Sequence, residues 1–122
     1  MNKIAELQNK LRRVAVDTDS QIIGTLWDGT IIKFVHAEDV RNNFDPDFSL
    51  GGHGYVYDYI PENEIWIERT RDVKDILADT FHEIMEYSIM KYFGVDYETA
   101  HLIATDLEMN IRKTDAEVDT GV

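Results

Sequence analysis

Between Asp79 and Glu108 the chain reads DTFHEIMEYSIMKYFGVDYETAHLIATDLE, and the residues in it that can do chemistry are His82, Glu83, Glu86, His101 and Glu108. Residues four apart on a helix lie one turn apart on one face, so His82 and Glu86 can offer an imidazole nitrogen and a carboxylate oxygen to a single cation. His101, beyond a glycine-centred break, is a candidate third ligand. Three protein ligands leave a position for water. A metal acidifies that water, and Glu83, next to the first ligand, is placed to take its proton as general base. Glu108, two turns beyond His101, reads either as a fourth ligand or as the carboxylate that orients an imidazole from behind. Zinc is the expected ion, with manganese the alternative because a carboxylate in the set suits a harder metal. A plainer reading stands beside this one: His-Glu pairs also occur by chance in acidic helices, with Glu86 facing solvent.

These side chains need two helices to position them. The first is predicted over residues 72 to 93, with Thr70 or Asp72 as N-cap and Gly94 as a left-handed stop. At about 100° per residue, Val73, Leu77, Phe81, Ile84 and Ser88 share one side, expected to pack on a sheet, and His82 and Glu86 share the other. The second helix, capped by Asp96, runs to about Lys113 with Ala100, Ile103, Ala104, Leu107 and Ile111 as its apolar stripe, and the alanines allow close approach. A short connection returns it antiparallel, which brings His101 toward Glu86.

Upstream, Ile4, Leu7, Leu11 and Val14 predict an N-terminal helix. Asp28-Gly29, between two β-rich runs near residues 21 to 27 and 30 to 35, predicts a hairpin with a tight two-residue turn. A helical turn is expected at residues 38 to 42. The run HGYVYDYIPENEIWIER reads as a second hairpin, in which Tyr55, Tyr57 and Tyr59 form one face of a strand and Pro61 to Asn63 the turn. The expected fold is α+β: a small, mainly antiparallel sheet packed against the His82 helix, with N-terminal and C-terminal helices. Residues 1 to 113 form one domain and residues 114 to 122 a polar tail. His53, among glycines, is a further ligand or substrate contact or simply a turn residue, and His36 a boundary histidine.

The chain has 122 residues, 43% of them apolar and 11% aromatic, enough for one modest core. Cysteine is absent, which excludes disulfides and thiolate zinc sites, so any metal rests on His, Asp and Glu. Twenty-four acidic residues against twelve basic ones give a formal charge of -12. Such a field repels nucleic-acid phosphates and anionic lipids. Neither a signal peptide nor a membrane-spanning run is evident, and a cytoplasmic location is expected. Phosphate-binding glycine loops, GxSxG elbows and catalytic cysteines are missing.

From Ile65 to Glu108 the chain resembles the compact zincin-type metallopeptidase domains of the ImmA/IrrE-like kind: a strand, a short polar connection, a helix opening on His82-Glu83 and a following helix with Ala100-His101. The resemblance implies His82 as first ligand, Glu83 as general base and His101 as third ligand. Glu86 stands where the second histidine of those domains would be. A carboxylate there lowers the charge of the centre and makes its water less acidic. The resemblance also assigns substrate pairing by strand addition to residues 65 to 68. The expected function is a metal-dependent hydrolase acting on a peptide or protein. Its rivals are an inactive zincin-like module that binds a protein partner, and an acidic inhibitor that mimics DNA.

Overall fold

Two glycines with positive φ, Gly29 at 88° and Gly94 at 64°, mark the chain reversals around which the two halves of the protein are built. The computed structural model describes residues 3, 4, 6, 7, 20–69 and 72–119. The expected N-terminal helix lies almost wholly outside the described residues, of which Lys3, Ile4, Glu6 and Leu7 are helical, and Thr70 lies outside them too. The chain divides into two compact units, Met1–Arg71 and Asp72–Val122. The class is α+β, and among the described residues the strands lie in the first unit and the long helices in the second.

The first unit carries β1 (Gln21–Thr25), β2 (Ile31–Val35), α1 (Ala37–Asn43), β3 (Gly51–His53) and β4 (Glu64–Glu68), in sheet order β1-β2-β4-β3. β1 and β2 pair antiparallel as expected, with a bulge between Ile22 and Gly24. Their turn is longer than the two-residue form. Leu26 N–H donates to the Thr30 carbonyl at 2.8 Å, and Gly29 N–H to the Leu26 carbonyl at 3.0 Å. This is a three-residue loop whose last position needs the left-handed conformation Gly29 supplies. β4 pairs parallel with β2 and antiparallel with β3, so the sheet is mainly antiparallel with one parallel pairing. The core gathers Val35, Ala37, Val40, Phe48, Ile60 and Trp66, against which Phe44, Tyr57 and Tyr59 pack.

Two expectations fail here. Residues 55 to 60 are not a strand: His53 carbonyl accepts from both Val56 and Tyr57 N–H, at 3.2 and 3.1 Å, and turns the chain. The tyrosines then serve the core, with Tyr59 stacked on Phe44 at a centroid distance of 5.1 Å. Nor can residues 65 to 68 add a substrate strand, because β4 already has β2 on one edge and β3 on the other.

The second unit is a helical hairpin of α2 (Val73–Phe93) and α3 (Tyr97–Asp119). Asp72 caps α2, its side chain accepting from Lys74 N–H at 2.8 Å, and Gly94 ends it in the left-handed region. Asp96 Oδ1 accepts from Thr99 N–H at 2.9 Å at the head of α3. α3 passes through the expected end at Lys113 and continues to Asp119. The apolar side predicted for α2 is not buried along its length: Val73 and Leu77 are 69% and 64% exposed. The buried positions of α2 are Ala78, Asp79, His82, Glu86 and Tyr87, and on α3 Ala100 and Ala104 are fully buried. Small side chains at the closest approach let α3 lie along the polar side of α2, leaving part of the apolar side uncovered.

Candidate metal centre

α2 brings His82 and Glu86 to one face, one turn apart, and the reversal at residues 94–96 returns α3 so that His101 and Glu108 meet them. Glu86 Oε2 is the focus. His82 Nε2 lies 3.1 Å from it and His101 Nδ1 2.9 Å from it. The two imidazoles meet edge-on, with centroids 4.9 Å apart and planes at 70°. One ligand atom from each of the three residues lies within 4.8 Å of those of the others. Ligand atoms on a tetrahedral zinc, each about 2.0–2.1 Å from the ion, stand about 3.3 Å from one another, so a slight parting of the cluster accommodates a cation. The side chains of His82 and Glu86 are 11% and 5% exposed and that of His101 is 47% exposed, so the cluster has a closed floor and one open side.

Behind the first histidine, His82 Nδ1 is 3.1 Å from Glu108 Oε1. That contact is close without the alignment of a hydrogen bond, and the nitrogen is buried. Both ring nitrogens therefore face carboxylates. The hydrogen bond to Glu86 holds the imidazole above its ordinary pKa against the opposing effect of burial, with the charges of Glu83, Glu86 and Glu108 adding to it. Glu83 is shifted further: burial, reinforced by the charges of Glu86 and Glu108 and opposed by His82, pushes its carboxyl up to about 8. Its Oε2 is buried with no hydrogen-bond partner among the described residues. A strongly shifted acid beside a convergent ligand set is a pattern common at catalytic sites.

Of the residues singled out from the sequence, His82, Glu86, His101 and Glu108 thus form one cluster within the helical unit, with Glu83 adjoining on α2. His53 belongs to the other unit, at the end of β3, buried, its Nδ1 accepting from Tyr55 N–H at 3.3 Å. His36 precedes α1, with its Nε2 3.4 Å from an Arg69 guanidinium nitrogen. Sequence reasoning missed Tyr97, whose hydroxyl is 3.5 Å from His101 Nδ1, and the Arg112–Asp75 pair beyond Glu108. The four-residue spacings Tyr97 to His101 and Glu108 to Arg112 were the available signals. Asp75 had none before the helices were paired. Comparison with protein-family models, with curated proteins and with solved structures returned no match.

Proposed function

We propose that the helical unit binds one divalent metal ion through His82, Glu86 and His101, and that the protein is a metal-dependent hydrolase of the zincin type acting on a peptide or protein. The observation that carries this reading is the convergence of two imidazole nitrogens on one carboxylate oxygen, at 3.1 and 2.9 Å, from two different helices. When bound, the metal supplies Lewis acidity to a water and to the substrate carbonyl. His82 and His101 would hold it with neutral nitrogens and Glu86 with its charge, and Glu83 would be the base placed to accept the proton of the water. Glu83 is protonated near neutrality in the metal-free cluster, and a dication beside it lowers its pKa toward the range of a working base. Zinc is the first candidate and manganese the second, since one carboxylate replaces an imidazole.

Elemental analysis of protein prepared without chelator tests the site. About one equivalent of zinc or manganese, lost in both His82→Ala and His101→Ala, is the expected result. Protein that takes up neither ion after incubation ends the metal reading. Glu83→Gln then tests the chemistry: metal retained while peptide hydrolysis falls about 10²- to 10⁴-fold, the usual contribution of a positioned base. Metal held by a wild-type chain that cleaves no peptide library leaves a metal-stabilised binding module in place of the enzyme.

A further inference from the structure

The Glu108 carboxylate is divided between two partners. Its Oε1 faces His82 Nδ1 at 3.1 Å, while its Oε2 accepts from Arg112 Nε at 3.0 Å. Arg112 also reaches back across the hairpin, where its terminal nitrogen donates to Asp75 Oδ1 on α2 at 3.0 Å. A line of charge-assisted contacts thus runs from the half-exposed Asp75 and Arg112, through the mostly covered Glu108, to the buried ring of His82.

We propose that Arg112, braced by Asp75, is a positioning residue for the metal centre: it holds Glu108 with one oxygen on His82 Nδ1, so that the other ring nitrogen is presented to the ion. The inference rests on the metal reading above and adds residues that touch neither ion nor substrate. His82 has two nitrogens that a cation could take, and only Nε2 points toward Glu86 Oε2, where His101 Nδ1 also converges. Glu108 faces Nδ1 at 3.1 Å without hydrogen-bond alignment in the metal-free cluster. Brought into line there, the carboxylate would keep the proton on Nδ1, leave the lone pair on Nε2 and make that nitrogen more basic. Glu108 alone holds this position poorly. Its side chain is 21% exposed and has torsions that carry it into solvent. The planar guanidinium removes that freedom, because its fork engages Glu108 through Nε and Asp75 through the terminal nitrogen at the same time. The bland alternative is an ordinary ion pair four residues apart on α3, which lends the helix a little stability and leaves the metal unaffected.

The two roles separate in zinc affinity, measured by chelator competition on the full chain at fixed pH. Wild type is compared with Glu108→Gln, Arg112→Gln, the double variant and Asp75→Asn, with His82→Ala as control. Glu108→Gln is expected to weaken zinc by about 10- to 100-fold, the usual effect of removing the partner of a ligating histidine. Arg112→Gln weakens it in the same direction by a smaller factor, and adds nothing once Glu108 is already Gln, because it acts through that residue. Asp75→Asn gives a weaker form of the Arg112 effect. A second readout is the Nδ1–H proton resonance of His82 in the zinc-loaded chain, sharp in wild type and broadened by exchange with water in both Gln variants. Metal-free unfolding transitions of all variants within a few degrees of wild type confirm that folding is intact. Should Arg112→Gln leave affinity and resonance unchanged, or should its effect persist in the Glu108→Gln background, the positioning role is overturned while zinc bound by wild type and lost in His82→Ala still upholds the site. A wild-type chain that binds no zinc removes both.

Discussion

Glu86 is the residue on which the proposed chemistry turns, because a single oxygen of its carboxylate serves two imidazoles. Exchanging it for glutamine keeps the shape and removes the charge. In the metal-free protein the imidazolium form of His82 then loses its main support, since the Glu86 hydrogen bond is the largest cause of its raised pKa. Glu86→Gln is therefore expected to lower the His82 pKa and to weaken metal binding. Glu86→His is expected to restore zinc with a shift away from manganese, the ligand set becoming softer and less negative. Histidine NMR titration and metal competition check the two halves, and a His82 titration curve unmoved by Glu86→Gln would show that the contact carries no weight. The ligand candidates were legible in the sequence because helical spacing places His82 over Glu86 whatever else the fold does. The back-up at Glu108 was legible only as one of two roles, since choosing between them needs the register of α3 on α2. Asp75 acquires its place only through that register, and no pattern along the chain announces it.

At the scale of elements, the helical hairpin is written in its ends. Asp72 accepts from Lys74 N–H, Asp96 from Thr99 N–H, and Gly94 takes the left-handed conformation between them. Asp72→Ala is expected to cost about 1 kcal/mol through the lost cap. Gly94→Ala is expected to cost about 1–2 kcal/mol through the left-handed conformation, although its added methyl meets nothing within 4 Å. Chemical denaturation measures both, and a neutral Gly94→Ala would mean the reversal tolerates another backbone path. The strands were less legible. The alternation of Tyr55, Tyr57 and Tyr59 has the period of a strand, but the tertiary contacts chose otherwise. A Cβ on Gly52 would stand 2.6 Å from the Tyr57 ring, so the glycine exists to let that ring fold back over β3. Gly52→Ala is accordingly expected to cost more than Gly94→Ala, with the loss of core packing reported by near-ultraviolet circular dichroism. The central place of β4 was hidden for a different reason: β3 joins it from the far side, and pairing order depends on partners distant in the sequence. Val73 and Leu77 illustrate the same limit in the helices, where periodicity defines a face without saying whether anything covers it.

For the whole molecule, the formal charge of -12 and the buried acid cluster make stability a matter of protons and cations together. Among the described residues no helix is long and apolar enough to cross a membrane. In the metal-free protein, His82 and Glu83 both have folded-state pKa values above their ordinary ones, so the folded chain holds protons that the unfolded chain has released. Their contribution is fully present below the unfolded values and is lost as pH rises through the folded ones. The window runs from the ordinary 4.5 of a glutamate up to about 8 for Glu83, with His82 leaving its own ordinary value of 6.5 inside it. Asp96, whose pKa is lowered by its hydrogen bonds to Thr99, acts in the opposite sense but only below that window. On the proposed metal reading a bound ion would reverse the trend, because His82, Glu86 and His101 would hold it in their unprotonated forms and affinity would grow as the protons leave. At an ion concentration 100-fold above the dissociation constant, binding stabilises the folded chain by about 2.7 kcal/mol. Thermal unfolding with chelator and with zinc should therefore give two curves that lie close together near pH 6 and diverge toward pH 8, the metal-free one falling and the zinc one holding. Physiological salt screens exposed charges beyond about 8 Å, so a gap that survives in salt belongs to the cluster and not to the acidic surface. Parallel curves, or a gap abolished by salt and indifferent to His101→Ala, would mean that the protons and the cations act at different places and that the cluster is an ion-paired core with no metal to hold.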